Sequence, residues 1–458
     1  MPLIAWSALG YAAGLLAGFS LSERGAIAAA AAIAAVALAL LVLDRRWAGA
    51  VAALAAGATL LAVADVRRER SCAATLRSLH AWELRVDAPA DEGSVAHGEL
   101  TAAGCKRAAT VIVASGHGEP GEVLVLTGDV QADASPDARS MLVQRARIRR
   151  DRADSPLPRL RARAGARIDA LFGADAPVVR ALVVADMSAI PPEQRDRYAD
   201  AGLVHMLSVS GLHVGIIAFA LELLGAALRL PRAPVRVGAL ALLAVYVVAI
   251  GAPPPAVRAA VMLGVLLASR MRQRPTSAWA VLALGALVPL ATPRIVLDLG
   301  WQLSVAGTAA LISGGALARR IIPSGWRGVR RSLASGAVIS IVATGVTAPL
   351  VAWSFGRISL VGPITNLLAD PIMGVLQPVL FVALCIPVGV VARLCADAAH
   401  AMLALFDAIA RLGAAVPGAA LSVTPTTLAA LLAGVAAAAA LVACASSRPM
   451  RAALVSAC

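Results

Sequence analysis

The feature that most constrains this chain is a series of apolar stretches, each close to the length that an α-helix needs to cross a bilayer. Three come first, at 3–21, 26–43 and 48–66. Because a helix rises about 1.5 Å per residue, about 20 apolar residues cross the hydrocarbon core. The first stretch lacks the basic segment that opens a signal peptide. The pattern therefore predicts a multi-pass membrane protein.

The composition agrees with this prediction. The chain has 458 residues, of which 59% are hydrophobic and only 15% are charged. A soluble protein has roughly a quarter of its residues charged. The formal net charge of +14 fits either nucleic-acid binding or the arginine-rich inner loops of a membrane protein. The positions of the arginines decide between the two.

A second apolar block runs from residue 203 to the C-terminus, so we expect a polytopic α-helical membrane protein with about 10–13 transmembrane helices. The segment 360–391 is too long for one simple pass and contains Pro363, Pro371, Pro378 and Pro387. Proline removes a backbone hydrogen bond, so we expect this segment to be broken or re-entrant. The candidate crossings are 203–228, 237–251, 256–269, 277–291, 296–317, 333–352, 360–391, 397–416 and 424–445.

Between the two apolar blocks the sequence changes character. Short alternating runs separated by turn-forming residues predict five strands, and hence a small β-barrel or sandwich outside the bilayer. Its two cysteines, Cys72 and Cys105, are a candidate disulfide, because an outward domain lies in an oxidising compartment. The predicted domains are 1–66 (N-terminal transmembrane helices), 67–150 (β-domain), 151–202 (interfacial helices) and 203–458 (channel domain).

Arginine positions predict the orientation. If the N-terminus is cytoplasmic, thirteen arginines fall in four inner loops, whereas the intervening outer loops hold few, such as Arg294 and Arg357. This is the positive-inside rule, and it holds up to residue 352. The inner-loop arginines are Arg45, Arg46, Arg229, Arg232, Arg236, Arg270, Arg272, Arg274, Arg319, Arg320, Arg327, Arg330 and Arg331.

Four motifs occur in order along the second half of the chain. They are ALVVADMSAIPPEQRDRYADAGLVHMLSVSGLHVGII at 181–217, Gly251 with Arg258-Ala259 and Met262, LDLGWQLS at 297–304, and FGRIS at 355–359 followed by Asn366 and Pro371. Together they resemble the ComEC competence-protein family, the inner-membrane DNA-uptake channels of bacteria. The resemblance implies an OB-like outer domain. It also implies candidate channel residues: His205, Ser210, Gly211, His213, Arg258, Asp298, Gln302 and Asn366.

The sequence departs from that family in two places. Members often carry a metallo-β-lactamase-like domain, which needs an HxHxDH cluster, and no two histidines here have that spacing. Ala185 stands where a glycine usually precedes Asp186. We therefore expect no metal, no cofactor and no enzyme activity in this chain. Since it also has no P-loop, we expect a separate nuclease and a cytosolic DNA-capturing or motor protein as partners.

The basic residues outside the inner loops concentrate after the barrel. From 72 to 150 the sequence has nine basic and ten acidic residues, and Trp82 is its one aromatic. A single-strand platform needs a basic groove and stacking rings, so a structural or gating role competes with base stacking here. The belt 145–167 has a balance of +7 and binds either DNA phosphates or lipid headgroups. The candidate contacts are Arg145, Arg147, Arg149, Arg159, Arg161, Arg163 and Arg167.

Three functions stay open at this stage. The first is an inner-membrane channel that moves single-stranded DNA into the cytoplasm during natural transformation. The second is a transporter or channel for another solute on the same fold. The third is an intramembrane hydrolase, suggested only by Ser210 and His213 three residues apart. An ion pair between Arg258 and Asp298 is a further hypothesis.

Overall fold

A computed structural model describes residues 2–86, 90, 92–118, 123–130, 141–150, 156–207, 209, 211–274 and 276–445. These residues form sixteen α-helices and seven strands. Within them, eight helices are long and apolar enough to cross a membrane, and three further apolar helices are shorter. The prediction of a polytopic helical membrane protein with one small β-domain is confirmed.

The N-terminal helices pack as an up-down-up group. They are α1 (Leu3–Ser20), α2 (Glu23–Val42) and α3 (Arg46–Arg77). Helices α1 and α3 run parallel, since Gly10 faces Val51 and Gly14 faces Ala55. A methyl group added to Gly14 would lie 2.2 Å from the Ala55 carbonyl oxygen. The three glycines at four-residue spacing, Gly10, Gly14 and Gly18, therefore allow backbone-to-backbone contact.

Helix α3 does not end at residue 66, where the apolar stretch ends, but continues to Arg77. The extension ends at the β-domain, whose five strands form a closed barrel in the order β1-β2-β3-β5-β4. Strands β3 and β5 pair in parallel and the other neighbours pair antiparallel. This small closed barrel is OB-like. The strands are β1 (Ala81–Val86), β2 (Val95–Ala102), β3 (Cys105–Ser115), β4 (Val123–Val130) and β5 (Met141–Arg150).

Three contacts join the barrel to α3. Leu76 of α3 is fully buried in the barrel core. The Trp82 indole nitrogen donates a hydrogen bond of 2.8 Å to the Leu76 carbonyl oxygen. A disulfide links Cys72 of α3 to Cys105 of β3, with the two Cα atoms 5.3 Å apart. The barrel is therefore fixed to the C-terminal end of α3.

An ion-pair network strengthens this joint from the channel side. Arg294, in the turn before α12 (Leu299–Ile321), donates to the Asp65 carboxylate at 2.7 Å and also binds Glu69. On the barrel, the nearly buried Arg107 lies 3.8 Å from Glu69. One of the few predicted outer arginines thus neutralises carboxylates of α3.

Four helices follow the barrel: α4 (Pro156–Phe172), α5 (Ala176–Val184), α6 (Pro192–Asp200) and α7 (Val204–Leu207). The largest buried cluster in the described chain includes Ile168, Phe172, Leu182 and Tyr198 from this group. The apolar face that the sequence placed at a membrane surface therefore packs partly against protein.

The helices of the second half form the main bundle. Around the centre, α8, α9 and α10 contact one another, and α12 packs on α13 and α16. Ser313 of α12 donates to the Leu441 carbonyl of α16 at 3.3 Å, which joins these two helices. The helices of this bundle, besides α12, include α8 (Gly211–Ala227), α9 (Arg232–Ala249), α10 (Pro254–Met271), α11 (Ala278–Leu287), α13 (Gly328–Phe355) and α16 (Thr427–Ala445).

The expected break within 360–391 is confirmed, but it lies at Pro387 and not at the earlier prolines. Helix α14 (Gly362–Cys385) continues through Pro371 and Pro378, and the chain leaves helical geometry only at 386–388, around Pro387. Neighbouring helices can satisfy the carbonyls that a proline leaves unbonded. Helix α15 (Gly389–Ala414) then packs along α14.

Helix α14 begins, and helix α15 ends, close to one small two-stranded sheet. Strand β6 (Arg357–Ser359) pairs antiparallel with β7 (Ala420–Ser422). Arg357 donates to Asp196 at 2.9 Å and to Asp200 at 3.2 Å, both on α6. A second predicted outer arginine is thus also neutralised by carboxylates.

The hairpin of α14 and α15 packs on α4–α6. The His400 Nδ1 atom lies 2.6 Å from an Asp175 carboxylate oxygen, and Tyr198 donates to Asp407 at 3.3 Å. Asp407 also accepts from Arg411, one turn further along α15, at 3.2 Å. The polar residues of α15 therefore pair helices.

Candidate functional site

The turn before Asp186 has a left-handed backbone although its residue is alanine. Ala185 has a φ of +58°, in the left-handed region, and ends α5. Asp186 accepts from the Ser188 backbone N–H at 3.0 Å and from its hydroxyl at 2.6 Å. Arg180 lies 3.6 Å from the other Asp186 oxygen. The turn thus has a glycine-like backbone at Ala185.

Arg180 also holds α4 against α5. Its Nε donates to an Asp169 carboxylate oxygen at 2.8 Å, and a second N–H donates to the other oxygen. This hydrogen bonding lowers the pKa of Asp169 below its ordinary value. The pair therefore stays ionised at neutral pH and fixes the position of the motif helix α5.

The first core helix brings several candidate residues to one place. Gly211 is the first residue of α8, and His213 in its first turn is fully buried. His205 lies on the preceding short helix α7 with an exposed side chain. Ser208 and Ser210 lie outside the described residues, so the Ser210–His213 pair stays a prediction.

Arg258 of α10 is the central polar group of the bundle. Its side chain is 4% exposed. Its Nε donates to the Ser304 hydroxyl of α12 at 3.0 Å, and a second N–H also donates to that hydroxyl. A third N–H lies 2.9 Å from the Met262 sulfur, one turn along α10. The guanidinium group therefore lies where α8, α10 and α12 meet.

Gly211 lies beside this guanidinium group. A methyl group added to it would lie 3.2 Å from an Arg258 terminal nitrogen and 3.4 Å from the Ala259 side chain. The first distance is tight and the second is an ordinary contact, so glycine leaves more room for the guanidinium than a larger residue would. Two candidate residues from different motifs are thus in contact.

The hypothesis of an Arg258–Asp298 ion pair is wrong. Asp298 is the N-cap of α12, and its carboxylate accepts from the Trp301 backbone N–H at 2.7 Å. A helix N-terminus has unpaired N–H groups and a partial positive charge, which bind a carboxylate well. Gln302 likewise binds locally, donating to the Val296 carbonyl at 2.8 Å. Both residues shape the entry to α12.

The charge on Arg258 is therefore uncompensated within the described part of the chain. Its hydrogen bonds go to a hydroxyl and a thioether, and no carboxylate pairs with it there. An isolated buried charge costs several kcal/mol, and ionisable groups in membrane segments usually face a polar pathway or a partner. The environment of Arg258 favours an anion.

Asn366 lies apart from this group, on α14. Its side-chain oxygen is buried and accepts no hydrogen bond from any described residue. The adjacent Thr365 donates to the Ala201 carbonyl at 2.6 Å. The structure thus places Asn366 beside the turn between α6 and α7.

The predicted arginine belt divides into two parts. Arg145, Arg147 and Arg149 are exposed at alternate positions of β5, and Arg163 of α4 is also exposed. Arg167 is different, because it donates to the Ala383 and Ile386 carbonyls at 3.1 and 2.5 Å.

Arg167 therefore caps the C-terminal end of α14, and its assignment as a phosphate contact stays a prediction. Unpaired carbonyls at a helix end attract a cation. Arg161 is partly buried near Gly251. The Arg159 side chain lies outside the described part of the structure.

The barrel offers no described aromatic platform. Trp82 is 2% exposed and its indole nitrogen is bonded to α3, so it cannot stack on a base. Between the two roles considered for the barrel, the structure favours the structural or gating one. The exposed basic residues of the barrel include three arginines of β5, together with Arg85 of β1 and Lys106 of β3.

Sequence reasoning missed two features of this region. Ser304 and Met262 were recognised as residues of the motifs but not as the hydrogen-bond partners of Arg258. The spacing of Met262, four residues after Arg258, was the available signal for one of them. No signal pointed to the joint of Arg294 with Asp65 and Glu69, whose members are far apart in sequence. Among the described residues, no group of three His, Cys, Asp or Glu side chains could hold a metal ion.

Comparison with known proteins agrees with the motifs. The family model described as "Competence protein" matches residues 171–448. "ComE operon protein 3" of Bacillus subtilis (strain 168) is 31% identical over 195 residues, covering 42% of this chain and 24% of that protein. "Competence protein ComA" of Neisseria gonorrhoeae is 32% identical over 204 residues, covering 42% of this chain and 28% of that protein.

The matches thus span about a quarter of the length of each curated relative. No solved structure matches. The family model covers α5 to α16, which includes His213, Arg258 and the motif turn at Asp186. On these grounds the chain belongs to the Competence protein family and resembles its ComEC-type members.

Proposed function

We propose that this chain forms a channel that carries single-stranded DNA across the bacterial inner membrane into the cytoplasm during natural transformation. The observation that carries the proposal is the buried guanidinium of Arg258, which no described carboxylate neutralises. A strand of DNA supplies one negative charge per phosphate. Such a group passing the junction of α8, α10 and α12 would compensate the charge.

The local geometry supports an anion at this place. Ser304 and Met262 bind Arg258 along two of its sides, and these neutral partners leave its positive charge in place. Guanidinium is also the side chain best suited to phosphate, because its donors match two phosphate oxygens. The matching family model and one of the two relatives are described as competence proteins, in agreement with this substrate.

A route toward the membrane is supported by the exposed face of β5. Arg147 and Arg149 present positive charge on the barrel wall, and phosphate contacts of this type release counterions without reading sequence. We propose that this face receives the strand and that Arg258 contacts it inside the bundle. We assign strand degradation and the driving force to a separate nuclease and a cytosolic DNA-capturing or motor protein.

The first test is genetic. In a transformable host, deletion of the gene should abolish transformation by added DNA, whereas DNA binding at the cell surface should persist. Normal transformation of the deletion strain would overturn the proposal. A growth defect on one solute in that same strain would then favour a transporter.

The second test addresses Arg258. Arg258→Met removes the charge at similar length, and we expect transformation to fall at least tenfold, since losing a desolvated charge contact costs about 2 kcal/mol or more. Arg258→Lys keeps the charge and should restore part of the activity. Membrane abundance of both variants, measured by immunoblot, separates a lost contact from a lost fold. Full activity of a stably expressed Arg258→Met protein would contradict the role of Arg258.

A further inference from the structure

A cavity of about 220 Å³ lies between α8, α9 and α10, away from Arg258. Its polar lining comes from one end of the three helices. Glu222 is near the end of α8, Arg236 near the start of α9 and Arg270 near the end of α10. The cavity therefore opens at the end where the sequence predicts the cytoplasmic loops.

The walls of the cavity are apolar. Besides the polar groups at its mouth, it is lined by small residues and by Phe219, Leu240, Leu243, Leu263, Leu266 and Leu267. A second groove of about 160 Å³ lies against α8 and α9, shares Ala239 with the first, and is lined by apolar side chains and glycines. Walls of this kind exclude a polyanion and fit a hydrocarbon chain.

The mouth is strongly basic. Arg236 lies 3.3 Å from Glu222, whereas Arg270 is exposed and has no ion-pair partner among the described contacts. The two adjoining turns add Arg229, Arg232, Arg272 and Arg274 and contain no acidic residue. The lining and the two adjoining turns thus carry six arginines and one carboxylate. This excess of positive charge leaves a site for an anionic headgroup.

We infer that this cavity binds an anionic phospholipid of the cytoplasmic leaflet. One acyl chain lies between α8 and α10, and the phosphate contacts Arg270 and Arg236. Apolar walls beneath a basic mouth are the arrangement by which grooves between transmembrane helices select acidic lipids. Each buried methylene adds to the binding through the hydrophobic effect.

The test uses the full chain purified in detergent and titrated with phosphatidylglycerol or phosphatidylcholine, with retained lipid counted by native mass spectrometry. We expect phosphatidylglycerol to bind at least fivefold more tightly than phosphatidylcholine. Arg270→Gln should weaken phosphatidylglycerol binding about fivefold, the effect of one charge near a headgroup. The matched control Arg319→Gln removes an arginine that does not line the cavity and should leave binding unchanged.

A second variant tests the acyl-chain part. Gly215 lines the cavity, and a Cβ atom added to it meets no atom within 4 Å. Gly215→Leu should therefore fold and reduce binding of both lipids. Equal retention of the two lipids by the wild type, or equal effects of Arg270→Gln and Arg319→Gln, would overturn the inference. So would binding of a single-stranded oligonucleotide that Arg270→Gln weakens while phosphatidylglycerol does not bind.

Discussion

At the residue scale, Ala185 shows how the backbone can keep a geometry that the side chain disfavours. Its φ of +58° lies in the left-handed region, where a Cβ atom approaches the following carbonyl oxygen. Only glycine adopts this conformation without cost. Because the turn places Asp186 against Ser188 and Arg180, the surrounding contacts hold the strained residue in place.

Replacing Ala185 by glycine should therefore stabilise the protein. We expect Ala185→Gly to raise the free energy of unfolding by about 0.5–1 kcal/mol, the relief of left-handed strain less the added chain entropy. The measurement is thermal unfolding of the purified chain in detergent. Ala166→Gly is the control, because Ala166 is exposed in the interior of α4 and its replacement should cost about 1 kcal/mol. Destabilisation by both variants would show that Ala185 is not strained.

The sequence motifs were a better guide to the candidate residues than to the contacts between them. The sequence brought Gly211 and Arg258 into the candidate set, and the structure places them in contact. It could not show that the α12 N-terminus binds Asp298, because that depends on where the helix begins. The competition between a helix end and a distant guanidinium for one carboxylate is decided by three-dimensional geometry.

At the scale of elements, the glycine face of α1 sets the distance between two parallel helices. Gly14 lies against the Ala55 backbone and Gly18 against Thr59 and Ala62. Without a hydrophobic driving force between helices in lipid, such close packing supplies much of their attraction. The three glycines at four-residue spacing are visible in the sequence, but the sequence does not show which helix packs against them.

A single methyl group should disturb this contact. Gly14→Ala places a carbon 2.2 Å from the Ala55 carbonyl oxygen, so the helices must separate, at a cost of about 1–3 kcal/mol. Gly57→Ala on α3 is the matched control, since nothing lies within 4 Å of its added carbon. That control should be neutral or stabilising by up to about 1 kcal/mol. Equal unfolding temperatures for the two variants would contradict the packing role of Gly14.

Helix α14 shows that a proline in the sequence does not by itself predict a break in a helix. Four prolines in one segment predicted a break, yet Pro371 and Pro378 lie inside a continuous helix. Proline removes one hydrogen bond in any setting, but whether the helix ends depends on the neighbours. For α14 these neighbours are α15, α13 and the α4–α6 group, which a local pattern does not reveal.

At the scale of the whole molecule, the class of the fold followed from hydropathy and alternation alone. All five strands of the barrel and the helical membrane segments were predicted, because burial imposes periods of 2 and 3.6 residues on the sequence. The joint between barrel and bundle was not predicted. It depends on Arg294, Asp65 and Glu69, polar residues without a periodic signal.

Loss of Arg294 should loosen this joint. Arg294→Gln leaves Asp65 and Glu69 without that cation, and we expect hydrogen exchange in the last three turns of α3 to quicken about five- to thirtyfold, equivalent to about 1–2 kcal/mol. Arg46→Gln is the control, because its pair with Asp44 is more than three-quarters exposed and such pairs contribute little. If the exchange in α3 matched that of the control, the barrel would depend on its disulfide and core contacts alone.

The continuous α3 has a mechanical consequence. Its 32 residues make a rod of about 48 Å, while the hydrocarbon core is about 30 Å thick. The rod thus projects about 18 Å beyond the lipid and carries the barrel on its end. Because α3 is continuous from its glycine contact with α1 to the barrel, no break in that helix separates the two. We therefore expect a partner that binds the barrel to change the tilt of α1 and α3 as well.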